Sequence, residues 1–105
     1  MINQIIQSLD ESTGPIAKVF HKGNNFRIIS LGLKKGVLLK EHKPPSLKQN
    51  HLPDNVILIV IKGKAHYKSK TRNVIMNTFD KLEIPIDELH SVEGIEDSIL
   101  LLILS

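Results

Sequence analysis

Two uninterrupted apolar runs do most to restrict the fold of this chain. They are Val56–Ile61 and Ile99–Leu104, each six residues long. That length suits a β-strand, whereas a helix that crosses a bilayer needs about 20 apolar residues. Successive side chains of a strand point to opposite faces, so a run without polar members is apolar on both faces. We therefore predict two strands that are covered on both sides within a globular protein.

The remainder of the sequence also favours strands. Short β-type runs alternate with turn compositions such as Lys34-Lys35-Gly36. Many short strands with a turn every few residues are typical of a sandwich or barrel. A polar segment with three prolines, residues 43–55, is the longest irregular stretch. The further predicted strands are Ile16–His21, Phe26–Leu33, Val37–His42, Ala65–Ser69, Val74–Asn77, Leu82–Pro85 and His90–Glu93.

The N-terminus follows a different period. Its apolar residues recur at helical spacing: Ile2, Ile5, Ile6 and Leu9. We predict a short amphipathic helix over residues 1–12, ended by Gly14-Pro15. A helix this short is marginal alone and must dock on something. The outer face of the predicted sheet could be covered by this helix or by a second subunit, and two-sided burial in so small a domain leads us to expect a homodimer.

Composition excludes several classes of function. The 105 residues predict one domain, and the absence of cysteine excludes disulfides and thiolate metal sites. A formal net charge of +3 is ordinary for solubility, and four aromatic side chains are few for base stacking, so we expect no nucleic-acid partner. The first residues do not show a basic stretch followed by an apolar one, so we expect no signal peptide. We expect a cytoplasmic protein that does not insert into a membrane.

Two histidines stand at similar places in two motifs. His42 closes the pattern Gly36-x5-His42 ahead of a strand that ends near Gly63, and His90 closes Pro85-x4-His90 ahead of the last apolar run. These patterns resemble the two sequence motifs of the cupin superfamily. The resemblance implies an all-β, single-domain jelly-roll β-barrel of the cupin type, with its core at residues 26–104 and the short helix in front. It also implies that His42 and His90 converge on one pocket.

The chain departs from both cupin motifs as much as it matches them. The first motif has a second histidine and a glutamate, and the second motif has two glycines and an asparagine. In their places stand Pro44, Val56, Phe79, Asp87 and Gly94, respectively. Only His42 and His90 carry over from the usual site of three histidines and one glutamate. A weak or vestigial metal site is therefore what the resemblance implies.

A metal hypothesis needs a further ligand. Imidazole binds Zn, Ni and Fe well, and Mn is a further candidate, but catalytic sites usually hold three or more protein ligands. The third ligand could be His51 in the polar loop, or Glu41 or Glu88. The alternative is that His42 and His90 are neutral side chains that hydrogen-bond to neighbours in a cavity.

Three functions are open at this stage. The first is a small-molecule-binding module whose cavity is lined by the inward side chains Val56, Leu58 and Val60. The second is an enzyme of the isomerase or dioxygenase type that depends on a divalent metal. The third is a structural dimer or partner-binding protein. We favour the first, because half of the metal ligands are missing while both motif histidines are present.

A basic stripe follows the second half of the predicted sheet. Its members alternate along the chain: Lys62, Lys64, His66, Lys68, Lys70 and Arg72. Period two would place them on one strand face, which we interpret as a solvated edge rather than an anion site. If His66 keeps the parity of Val56, its side chain points inward, although a bend at Gly63 can shift that parity.

Overall fold

A computed structural model of the chain describes residues 14–42 and 53–105, with residues 41 and 42 described by their backbone alone. The described residues form strands and turns and contain no helix, which confirms the predicted all-β class. No helix that is long and apolar enough to cross a membrane is therefore found among these residues. The predicted N-terminal helix and His51 lie outside the described residues. The strands are β1 Ile16–Lys22, β2 Arg27–Leu33, β3 Leu38–His42, β4 Val56–Lys62, β5 Ala65–Ser69, β6 Asn73–Met76, β7 Lys81–Glu83, β8 His90–Gly94 and β9 Ser98–Leu104.

The strands form two antiparallel sheets. The first has the order β1-β2-β9-β4-β7 and the second the order β3-β8-β5-β6. The two apolar runs become β4 and β9, which lie side by side in the first sheet. β9 is hydrogen-bonded on both edges, by β2 and by β4. Interior strands of this kind are the ones expected to lack an alternating polar face.

The two sheets pack face to face around one core. The first sheet contributes alternate residues of β2, β4 and β9, and the second contributes residues of β5, β6 and β8. Facing side chains of two packed sheets interdigitate in this way in sandwich architectures. The buried core members are Leu31, Leu33, Val56, Leu58, Val60, Ala65, Tyr67, Met76, Ile84, Val92, Leu100, Leu102 and Leu104.

Gly63 reverses which residues point inward as the chain passes from β4 to β5. Its φ of +90° lies in the left-handed region, and the register of β4 on β9 shifts just before it. Even-numbered residues of β4 point inward, whereas Ala65 and Tyr67 do so on β5. His66 therefore does not keep the parity of Val56, and its side chain does not point inward. The residue is half-buried, and its ring hydrogen-bonds to the side-chain oxygen of Asn73 instead.

Candidate functional site

The second sheet brings the two motif histidine positions together. His42 ends β3 and His90 begins β8, and the Cα atoms of these two residues are direct partners in the antiparallel register. Their neighbour on the other side of β8 is Ser69, at the end of β5. Two positions that are nearly half the chain apart in sequence are thus adjacent on neighbouring strands.

His90 is buried beside an aromatic ring. Its residue is 3% exposed, and its ring stacks on that of Tyr67 with 5.3 Å between centroids and an interplanar angle of 22°. Its Nδ1 lies 3.1 Å from the carbonyl oxygen of Glu88. A carbonyl only accepts, so Nδ1 carries the proton and donates it to this bond. In the neutral ring the lone pair is then on Nε2, the arrangement that a metal-ligating histidine also uses.

Tyr67 belongs to a charged cluster on the inner side of the same sheet. Its hydroxyl donates to Glu88 Oε1 over 2.5 Å, and Arg72 Nη2 donates to the same oxygen over 3.2 Å. Arg72 Nη2 also lies 3.0 Å from the carbonyl oxygen of Glu83. The guanidinium carbon stands 5.3 Å from the Tyr67 ring centroid. The carboxylate of Glu88 thus has a neutral donor and a charged donor, which offset the cost of its burial.

The protonation states of the cluster follow from these contacts. Burial, followed by the nearby Glu88 carboxylate, raises the pKa of Tyr67 above its ordinary value. The hydrogen bond from Tyr67, with support from Ser69 and Arg72, lowers the pKa of Glu88 in spite of partial burial. At neutral pH the phenol is therefore a neutral donor and Glu88 is ionised.

A surface groove reaches this cluster through Arg72. It has a volume of about 390 Å³ and combines apolar and polar walls. The Arg72 side chain is 30% exposed, so it faces the groove while one of its nitrogens is held by Glu88. The groove is lined by Asp54, Asn55, Val56, Arg72, Glu83, Ile84, Pro85 and Ile86.

The three residues that we predicted to line a ligand cavity are core residues in the structure. Val56, Leu58 and Val60 are 2%, 1% and 0% exposed and pack within the shared core. Val56 in addition reaches the wall of the groove. Their part in binding a ligand stays a prediction.

The predicted metal ligands are only partly described. His90 is suited to the role by its tautomer, and the backbone of His42 lies opposite it. The carboxylate of Glu88 is bound to Tyr67 and Arg72. Among residues 14–40 and 53–105, no group of three or more His, Asp or Glu side chains could hold an ion. The described side chains alone therefore fall short of the three ligands that a catalytic metal site usually has.

Sequence reasoning missed Tyr67 and Arg72. We placed Arg72 in a solvated stripe by counting alternate residues, and the turn before β6 takes it out of that row. The available signal was the parity shift at Gly63, which turns Tyr67 inward. Tyr67 is the chain's one tyrosine. A buried phenol needs a partner for its hydroxyl, so a polar cluster around it could have been predicted.

Comparison with solved structures identifies the architecture. An RmlC-like cupin protein from Desulfovibrio desulfuricans has a TM-score of 0.70 and 21% identity, over 86% of this chain and 81% of its own. A cupin superfamily protein from Desulfitobacterium hafniense gives 0.72 and 13%, over 89% and 78%. KdgF from a Halomonas species gives 0.73 and 14%, over 90% and 82%.

These likenesses show the fold. The chain has the fold of the cupins, so the resemblance drawn from the two motifs is confirmed at the level of the fold. No protein-family profile and no curated protein sequence matches the chain. What the site binds must therefore be argued from its own residues.

Proposed function

We propose that this cupin-fold chain is a small-molecule-binding module. Its ligand would lie in the groove that Arg72 shares with the buried cluster of Tyr67, Glu88 and His90. The observation that carries the proposal is this double position of Arg72, which lines the groove and is anchored from behind by a carboxylate. The jelly-roll barrel that the resemblance implies is the framework in which we set this site.

The size and lining of the groove suit a small ligand. A volume of about 390 Å³ falls within the range of roughly 300–1,000 Å³ that is usual for ligand pockets. Val56, Ile84, Pro85 and Ile86 supply an apolar wall. Such a wall favours a ligand with an aliphatic or aromatic body. The polar residues at its margin would then orient one end of the ligand.

Arg72 supplies the directed polar contact. Its Nη2 is engaged by Glu88 and by the Glu83 carbonyl. Within the described part of the chain, Nε and Nη1 of Arg72 have no hydrogen-bond partner. A guanidinium held on one side offers its remaining N–H groups in a fixed plane, which suits a carboxylate or another pair of acceptor oxygens. We expect ligands that combine such a group with an apolar body.

A binding screen tests this function. A panel of small aromatic and aliphatic carboxylates, with their amides, would be screened by ligand-observed NMR. Tyrosine fluorescence gives a second readout, because the chain has one tyrosine and no tryptophan. We expect at least one carboxylate to bind, and Arg72→Gln to weaken it about tenfold or more, as the loss of one charged hydrogen-bond pair predicts. Circular dichroism would show that the variant is folded.

The matched control is Lys68→Gln. Lys68 carries the same charge one strand position from Tyr67, but its side chain is exposed. The proposal is wrong if Arg72→Gln binds the panel as well as the wild type does. It is equally wrong if both variants lose affinity together, because the effect would then be one of net charge.

A divalent metal is the second candidate ligand. It is favoured by the direct pairing of positions 42 and 90 and by the tautomer of His90. Zn, Ni, Fe or Mn could be held there with a further ligand, for which His51, Glu41 and Glu88 were the predicted candidates. A metal-dependent cupin enzyme of the isomerase or dioxygenase type would rest on the same residues.

Metal content and uptake separate this candidate from the first. Protein purified without an affinity tag would be analysed for metals and titrated with Zn²⁺ and Ni²⁺ by calorimetry. The metal hypothesis predicts binding near one ion per chain that is lost in His42→Ala and in His90→Ala. His66→Ala is the control, because this half-exposed histidine lies on the adjacent strand. Protein without metal that also takes up neither ion would exclude the hypothesis.

A further inference from the structure

The five-stranded sheet has a second apolar surface on the side away from the core. Along its strands these residues alternate with core members, and none of them belongs to the core cluster. They form a patch across β2, β9 and β4, in which Ile28 and Ile57 are the register partners of Ile103 and Ile59 is the partner of Leu101. Ile99 extends the patch along the same face of β9. We call the patch the outer apolar face; it consists of Ile28, Ile57, Ile59, Ile99, Leu101 and Ile103.

The outer apolar face is bordered by charge on both edges. On β1, Lys18 is the register partner of Ser30, and on β7, Lys81 and Glu83 are the partners of Ile59 and Ile57. An apolar centre with a polar rim is the composition of a surface that packs against another element. A strand face left to water would carry polar residues at these positions.

One end of this face is already closed to solvent within a single chain. Ile99 is 1% exposed and Ser30 is 0% exposed, although neither belongs to the core cluster. Every described strand lies in one of the two sheets, and the four-stranded sheet packs on the opposite side. The four-stranded sheet is therefore not the element that buries Ile99 and Ser30.

We propose that residues 2–9 pack on the outer apolar face. The chain enters β1 at Ile16, which is the register partner of Gly32, and Gly32 is the partner of Ile99. The N-terminal residues thus join the sheet at the very end where Ile99 and Ser30 are buried. The proposed occupant is close enough to reach this face without any long connection.

The length and patterning of the segment match the patch. An eight-residue helix is about 12 Å long, and neighbouring strands lie about 4.8 Å apart, so such a helix spans two to three strands. The outer apolar face extends over three, β2, β9 and β4. The segment's own apolar residues would meet it: Ile2, Ile5, Ile6 and Leu9. A short amphipathic helix gains most of its stability from such packing.

Cross-linking tests the proposal in the full chain, which has no native cysteine. Ile5→Cys would be combined with Ile57→Cys and treated with a short bis-maleimide. We expect cross-links within one chain, in a yield that does not change on dilution. The control pairs Ile5→Cys with Ile75→Cys, because Ile75 is 48% exposed on the other sheet, and we expect no cross-link there.

The competing occupant is a second copy of the chain, as in the homodimer predicted from the sequence. It would give cross-links between chains, with a yield that falls on dilution, and a dimer mass by light scattering. That result would overturn the proposal, and so would equal yields from the two cysteine pairs or none from either.

A charge variant gives an independent readout. Ile6→Glu should expose the outer apolar face and raise the binding of a hydrophobic dye, whereas Gln4→Glu should leave it unchanged. Equal dye binding by the two variants would contradict the proposal even if neither cross-linked pair could be prepared.

Discussion

The hydroxyl of Tyr67 offers the sharpest test of the buried cluster. Tyr67→Phe removes one oxygen and keeps the ring that stacks on His90 and lies beneath Arg72. The lost contact is a 2.5 Å hydrogen bond to an ionised carboxylate. A hydrogen bond to a charged group contributes about 1.5–3 kcal/mol. We expect the free energy of unfolding to fall by about that amount at neutral pH.

The loss should depend on pH in a definite direction. The pKa of Glu88 is lowered in the folded protein, with Tyr67 as the largest cause. A carboxyl with a lowered pKa contributes stability above its unfolded-state pKa, which is about 4.3 for Glu, and loses it as the pH falls through the folded value. Tyr67→Phe removes part of that contribution. The gap between wild type and variant should therefore be full at neutral pH and narrow in acid.

Urea unfolding followed by far-ultraviolet circular dichroism measures both effects. Tyrosine fluorescence cannot serve here, because the variant lacks the chain's one tyrosine. Glu88→Gln completes a double-mutant cycle, in which the two substitutions should not be additive. A change below about 0.5 kcal/mol at neutral pH would refute the reasoning, since that is the range of ordinary surface substitutions. A gap that stays constant in acid, or additive effects, would also refute it.

Three further predictions follow from burial and backbone geometry. Base titration followed by near-ultraviolet absorbance should show the Tyr67 phenolate only above the ordinary tyrosine pKa of about 10, because burial disfavours the charged form, and ionisation at the ordinary value in folded protein would contradict this. Leu100→Ala, at a position that is 0% exposed, should lower the free energy of unfolding by about 2–5 kcal/mol, as measured with urea. Leu89→Ala, at a position that is 46% exposed, should lower it by about 0.5 kcal/mol or less. Gly36→Ala should lower the free energy of unfolding by about 1–2 kcal/mol, because its φ of +83° is strained for alanine. Gly63→Ala should lower it further, because the added Cβ would also lie 2.6 Å from Ser98 Oγ. Equal losses in the two variants would contradict this steric argument.

Local chemistry accounts for how much of the fold was visible in the sequence. Predicted strands such as Ala65–Ser69 coincide with observed ones because the turn residues between them set their limits. The two apolar runs were rightly assigned to strands, and one face of each lies in the core. The cupin fold was implied by the resemblance of two motifs to those of the cupins, and the solved structures confirm it.

The candidate site was visible only in part. The resemblance to the cupin motifs pointed to positions 42 and 90, and the register of β3 on β8 makes them neighbours. No local sequence signal predicted that Arg72 would leave its basic stripe and bind Glu88. That contact joins a turn between two strands to a loop before a third. It exists only once the second sheet is assembled.

The amino-acid sequence by itself determined the strands, their turns and the apolar character of both faces of β4 and β9, because each depends on a few neighbouring residues and on the period of two. Tertiary structure alone decided which side chains share the interior. Gly63 changes the inward parity by one residue, so Tyr67 rather than His66 enters the core. A shift of one position exchanges the two faces of a strand. Pairing across the sheets then assembles charges that are far apart in the chain.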